Sequence, residues 1–295
     1  MTTRITKWKR ELCGAATLLL LGTVARADKS VPGVFSYVIA TSSENGEAPS
    51  TWPFNALDGK PTTGWCTAGD AVGQSLVLGF MKPETITHVG GVPGVVVGTL
   101  LDGGHARVRE LELNDGKERR TVVFIDDAKL QEVMLQPPMT VRELTITIKD
   151  VFPSEKAGAG ACLGELSLRK GDMPLTGEAV ARQVRGITRP KLRLVGPWVD
   201  NPSAPERFLT LALDGTFTWR FEPLMEGSPT TLSGTWDVAN GRLQLKPRAG
   251  KPSALKYTHD KVQERGGTFQ QLVLEGEAGH EKLPGSYRPA VLLNP

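Results

Sequence analysis

The chain has 295 residues with ordinary globular proportions, 39 % hydrophobic and 23 % charged, which excludes a wholly disordered chain and a polytopic membrane protein. Its formal charge of +3 misleads, because residues 1–27 hold five of the 35 Lys+Arg and one of the 32 Asp+Glu; without them the balance is 30 against 31. Composition therefore gives no support for a nucleic-acid footprint or a polybasic membrane patch.

In chain order, Arg4, Lys7, Lys9 and Arg10 precede an apolar run from Leu12 to Val24, followed by Ala25-Arg26-Ala27. This is the pattern of a signal peptide, residues 1–27, with an A-x-A cleavage site. The run is too short to cross roughly 30 Å of hydrocarbon at about 1.5 Å per residue. Cys13 stands before most of the run rather than after it, which disfavours a lipoprotein anchor. The expectation is a mature chain starting near Asp28, secreted or periplasmic, without a membrane span. Loss of Cys13 leaves Cys66 and Cys162 in an oxidising compartment. Two readings fit, a disulfide or two separate buried thiols; closing a loop of roughly 100 residues would constrain the unfolded chain by about 4.7 kcal/mol. Two cysteines and four scattered histidines (His88, His105, His259, His280) do not make a Cys-rich zinc site, and no metal ligand set is assigned.

Period-2 alternation rich in Val, Ile, Thr and aromatics predicts strands at Gln74–Phe80, Arg107–Leu113, Thr121–Ile125, Arg142–Lys149 and Glu165–Arg169. Asn114-Asp115-Gly116 predicts a hairpin. Residues 171–190 turn polar and basic and read as a linker, with one short helix at Gly177–Arg185. Eight further strands follow, from Leu192–Val199 to Leu283–Arg288, joined mainly by tight turns at Asp214-Gly215, Asn240-Gly241 and Gly266-Gly267. A meander of this size can close into a small barrel. An L-x-G-x-[WY] pattern recurs at Leu194-Gly196-Trp198, Leu232-Gly234-Trp236 and Leu283-Gly285-Tyr287. The aromatics either line a ligand cavity or fill the barrel's centre.

Four segments carry a resemblance. Leu57-Asp58-Gly59-Lys60-Pro61-Thr62-Thr63-Gly64-Trp65 resembles the D-G-x-x-x-T-x-W signature of discoidin-like (galactose-binding-like) β-sandwich domains, more narrowly the glycan-binding type first associated with secreted NAD glycohydrolases. Ala106-Arg107-Val108-Arg109-Glu110-Leu111, Asp150-Val151-Phe152-Pro153 and Cys162-Leu163-Gly164-Glu165-Leu166 resemble later pieces of that family in the same order, over about residues 35–170. The sequence departs from the pattern where Thr67-Ala68 replaces an acidic residue, His105-Ala106 an asparagine, and Gly91-Val92-Pro93 an N-G-Y segment. No part resembles the glycohydrolase catalytic domain. The resemblance would bring Cys66 and Cys162 together at one end of the sandwich. The C-terminal half is similar to lipocalin-like small barrels through Gly196-Pro197-Trp198 and Asp214-Gly215-Thr216-Phe217, a fold-level likeness silent on function.

The expected architecture is all-β: residues 28–170 a discoidin-like jelly-roll sandwich, 171–190 the linker, and 191–295 an eight-stranded lipocalin-like antiparallel barrel. No catalytic residue is assigned, since nucleophile-elbow, zincin, Walker and EF-hand motifs are missing and Asp126-Asp127 reads as a solvated turn. Ligand-binding candidates are Asn55, Asp58, Thr63, Trp65, Arg107, Lys156 and Glu165. Structural roles compete at several: Trp65 as a core residue, Asp58 as an Asx turn, Arg107 and Glu165 in a buried polar network. No cofactor is called for, and a structural calcium is left open. Two functions follow: an exported non-catalytic protein that binds a glycan or another cell-surface ligand, or a barrel carrier of a small apolar ligand with the sandwich as targeting module.

Overall fold

The computed structural model describes residues 33–43, 52–156, 158–201, 203–264 and 267–290. The segment read as a signal peptide with its cleavage site, residues 1–27, and Gly266 of the expected Gly266-Gly267 turn lie outside the described residues.

The N-terminal part is one nine-stranded sheet that bends over itself. Its strands are β1 (Phe35–Ala40), β2 (Trp65–Cys66), β3 (Ser75–Val92), β6 (Ala106–Asn114), β7 (Arg119–Val123), β8 (Gln131–Phe152), β9 (Ala161–Leu163), β10 (Glu165–Lys170) and β11 (Met173–Pro174), with a separate small hairpin of β4 (Val96–Val97) and β5 (Leu100–Leu101). The path runs β11-β10-β3-β8-β6-β9-β2, while β1 pairs with β3 and β7 with β6. The two expected strands at Gln74–Phe80 and Arg142–Lys149 are segments of β3 and β8, which run on for 18 and 22 residues. The β3–β8 register shifts between Gly79 and Glu84 and again between Ile86 and His88. Pro83 falls in the first break and Pro137-Pro138 lie opposite the second. Proline cannot donate to the ladder, so it sits where pairing is interrupted, and the bulges it marks bend the long strands around the core.

That core follows the alternation of the strands. Phe35, Leu76, Leu78, Leu111, Leu113, Leu144, Ile146 and Ile148 are fully buried, as is Trp65 in the same cluster. Each such side chain contributes about 1.5–3 kcal/mol of transfer free energy. The hairpin at Asn114-Asp115-Gly116 is held by its own side chains: Asp115 Oδ1 accepts the N–H groups of Lys117 and Glu118, both at 2.8 Å.

The segment after β11 forms two helices, α1 (Glu178–Val184) and α2 (Arg189–Leu194). The second occupies residues that alternation alone assigns to a strand start at Leu192. Thr188 is extended at its N-cap and Pro190 lies in the first turn, where its fixed φ and missing N–H suit a helix. Gln183 of α1 caps the start of β1, its Oε1 accepting the Val34 and Phe35 N–H groups at 3.1 Å and its amide donating to Phe35 O. Those backbone groups are thereby satisfied without another strand.

The remaining strands close a barrel in sequence order: β12 (Gly196–Val199), β13 (Arg207–Leu211), β14 (Thr216–Phe221), β15 (Thr230–Ala239), β16 (Arg242–Pro247), β17 (Ser253–Glu264), β18 (Gly267–Glu275) and β19 (Gly285–Pro289), the last pairing back with β12. Asn240 and Gly241 both have positive φ between paired Ala239 and Arg242, the tight hairpin turn their sequence announces. Leu213 N donates to Ser36 O at 2.7 Å, joining the β13–β14 turn to β1.

The recurrent L-x-G-x-[WY] pattern has a mechanical meaning. Gly196 and Gly285 adopt φ of +146° and +145°, values that side-chain-bearing residues rarely take. The bend lets the aromatic two residues later reach the leucine carbonyl two residues earlier. Trp198 Nε1 donates to Leu194 O at 2.9 Å, and the Tyr287 hydroxyl donates to Leu283 O at 2.6 Å. In the third copy Trp236 Nε1 donates to Ala212 O at 2.8 Å. Trp219, Tyr287, Leu209, Leu211, Leu243, Leu245, Leu255 and Leu272 are buried in the barrel, and Trp219 Nε1 donates to the Tyr287 hydroxyl at 3.2 Å. These aromatic side chains are buried within the barrel.

Candidate functional site

The sequence-derived candidates fall into two groups. The first surrounds the turn after the 3-10 segment Pro53–Leu57, which carries the half-buried Asn55. Asp58 Oδ1 accepts Lys60 N at 2.9 Å and Oδ2 accepts the Thr63 hydroxyl at 3.4 Å, the Asx role. Glu165, at the start of β10, accepts Gly59 N on Oε2 at 2.9 Å. Its carboxyl is 6 % exposed, and burial, with Asp58 adding repulsion, pushes its pKa up to about 8. Burial raises Asp58 as well. Three oxygens of these two carboxyl groups accept bonds from the loop itself. Trp65 is fully buried and its Nε1 donates to Ser42 O at 2.7 Å, so the ring anchors the loop.

Arg107 stands apart. Its guanidinium grips Asp126 with two bonds of 2.9 and 2.7 Å, and its third nitrogen donates to Pro153 O at 2.8 Å. The side chain ties β6 to the loop after β7 and to the end of β8. The same contact holds the Asp126 carboxyl below its usual range.

The second group is built by strand adjacency. In the order β6-β9-β2, Cys66 pairs with Cys162 across antiparallel strands, and Arg107 pairs with Cys162 across parallel ones. Cys66 and Cys162 form a disulfide with a Cα–Cα distance of 4.0 Å. His105, immediately before β6, therefore lies over the bridge, with a ring nitrogen and both sulfurs within 4.8 Å of one another. Its Nδ1 is 3.1 Å from Asp102 Oδ2. The Gly104 N–H and His105 together hold the Asp102 carboxyl below its usual range. The reading of the four histidines as scattered is thus corrected for His105: its carboxylate is three residues away and the cysteines are brought to it by the sheet, which linear spacing does not display.

Beside His105 opens a cleft of about 300 Å³ lined by Gly69, Gly104, His105, Lys156, Gly158, Ala159 and Gly160. Glycine is required at position 160, since a Cβ there would stand 1.9 Å from Thr67 O. Lys156 is the sequence candidate that lines this cleft. His105 and the glycine loops were missed; the signal was the pair of glycine-rich turns, Asp102-Gly103-Gly104-His105 and Gly158-Ala159-Gly160, flanking strands that carry the resemblance.

No family model matches the chain, and no curated protein does. Solved structures similar to part of it include the family 32 CBM of C. perfringens NanJ in complex with galactose (21 % identity, 46 % of this chain and 97 % of that one, TM-score 0.34). Others are an F5/8 type C domain from Bacteroides fragilis (20 %, 46 % and 97 %, 0.35) and a chitosan-binding module of a Paenibacillus chitosanase/glucanase (15 %, 47 % and 97 %, 0.34). Among the described residues no helix is long and apolar enough to cross a membrane.

Proposed function

We propose that this is an exported, non-catalytic carbohydrate-binding protein whose sandwich takes a glycan in the cleft beside His105 and Lys156. The observation that carries the reading is the cleft itself: about 300 Å³, walled by glycine backbone and two nitrogen-bearing side chains. Its volume is at the lower end of small-ligand sites. Backbone amides, imidazole and ammonium supply the hydrogen bonds that sugar hydroxyls take, and the exposed Lys156 favours a glycan carrying carboxylate or sulfate. Loops on a rigid sheet are the usual place for such a site. The four motifs that resemble glycan-binding discoidin-like domains agree with it. Export is supported by the N-terminal pattern and by the disulfide.

A non-catalytic role is supported by how the polar groups are used. Asp126 is spent on Arg107, and Asp127 Oδ1 accepts Lys129 N, so the adjacent pair is not arranged as an acid and a base. The barrel, with Trp198, Trp219, Trp236 and Tyr287 buried, then serves as a structural partner rather than the carrier. The test is binding of the oxidised chain to an array of neutral and acidic glycans, repeated with Lys156→Ala. Saturable binding weakened at least tenfold in the variant supports the proposal; no binding, or binding indifferent to the substitution, overturns it.

A further inference from the structure

The cysteine–histidine cluster has a chemistry that glycan binding does not use. Strands β2 and β9 and the residue before β6 place two sulfurs and an imidazole nitrogen within 4.8 Å of one another, and the carboxylate of Asp102 holds Nδ1 of the same imidazole at 3.1 Å, which leaves Nε2 to ligate. In the oxidised chain both sulfurs are consumed by their mutual bond. We propose that reduction of Cys66–Cys162 converts this cluster into a zinc site with Cys66, Cys162 and His105 as ligands, Asp102 as the orienting group, and a fourth position open toward the cleft.

The electron balance is simple. A dithiol gives two electrons and two protons to the disulfide and leaves as its own disulfide, producing two cysteine thiols. Zinc then displaces both thiol protons and binds the thiolates, so two protons are released per ion. Geometry favours the capture. The sulfurs start on one side of the sheet because their strands pair at these residues. Zn–S bonds of about 2.3 Å at tetrahedral angles put two ligating sulfurs about 3.8 Å apart, a separation reached by side-chain rotation. Two thiolates and one imidazole suit zinc in the three-ligand arrangement that leaves a position for an outside group. The carboxylate–imidazole pair is the outer-shell contact that fixes ring orientation at such sites. Access is through the cleft, which His105 lines. The inference does not depend on a glycan binding there.

The experiment uses the mature chain from Asp28 onward, reduced with dithiothreitol, freed of excess reductant without air, and titrated with Co²⁺ as the spectroscopic stand-in for Zn²⁺. Far-UV circular dichroism is recorded in parallel. The expected result is one Co²⁺ per chain, a thiolate-to-cobalt charge-transfer band abolished by Zn²⁺, and no band from the oxidised chain. His105→Ala should weaken binding at least tenfold and Asp102→Asn about tenfold. His105→Gln, which keeps the side chain's bulk, should weaken it as His105→Ala does. A reduced, folded chain without the band overturns the proposal. So does equal affinity in the two His105 variants and wild type, or loss of the sheet on reduction that metal does not restore.

Discussion

Glu165 offers the sharpest energetic test. It is buried behind the Asp58 turn with its pKa raised from 4.5 to about 8. A carboxyl raised in this way keeps its proton in the folded chain over a range where the unfolded chain has lost it. Its contribution to stability is therefore complete below pH 4.5 and is lost as pH rises through 8. At 1.36 kcal/mol per pH unit the loss amounts to about 5 kcal/mol. Glu165→Gln removes the charge and keeps an oxygen to accept the Gly59 N–H. The variant should match wild type near pH 4.5 and exceed it by several kcal/mol at pH 9. For a folded unit of this size that is a rise in Tm of about 10–20 °C. The assay is thermal unfolding by circular dichroism from pH 4.5 to 9, oxidised and in chelator, with wild type and variant side by side so that other titrations cancel. Parallel pH profiles, or a variant less stable than wild type at pH 9, would mean that Glu165 does not carry a raised pKa in the folded chain.

Three further outcomes follow from the packing. Tyr287→Phe removes the hydroxyl that links Trp219 Nε1 to Leu283 O, leaving both buried groups unpaired, and should cost about 1–3 kcal/mol in urea unfolding. Gly285→Ala meets both a φ of +145° and the Arg207 guanidinium 2.4 Å from the new Cβ; stability should fall by at least about 1 kcal/mol, read by the same titration. Replacing Cys66 and Cys162 together by Ala should cost about 2–5 kcal/mol, seen as a lower Tm than that of the oxidised wild type.

What the sequence made legible was whatever is decided locally. The turns at Asp115 and at Asn240-Gly241 are set by side-chain–backbone bonds and positive φ within four residues, so the strands they join could be placed. The barrel's strand count followed from such turns. The lengths of β3 and β8 were hidden, because Pro83 and Pro137-Pro138 interrupt the alternation while the chain continues past them as a bent strand. The start of α2 was hidden because Leu192 and Leu194 fit either period, and Pro190 decides between them. At the site, Asp58 could be read as a turn residue because its partners are two and five positions away. The cleft could not: His105, Cys66 and Cys162 meet only through the β6-β9-β2 order, a non-local pairing that periodicity does not encode.

Glycan recognition at the cleft is tested by an array of neutral and acidic glycans probed with the oxidised chain and with Lys156→Ala. The expected result is saturable binding to a restricted set of glycans, reduced at least tenfold by the substitution while the circular dichroism spectrum is unchanged. Binding to none of them, or equal binding by both proteins, would contradict it.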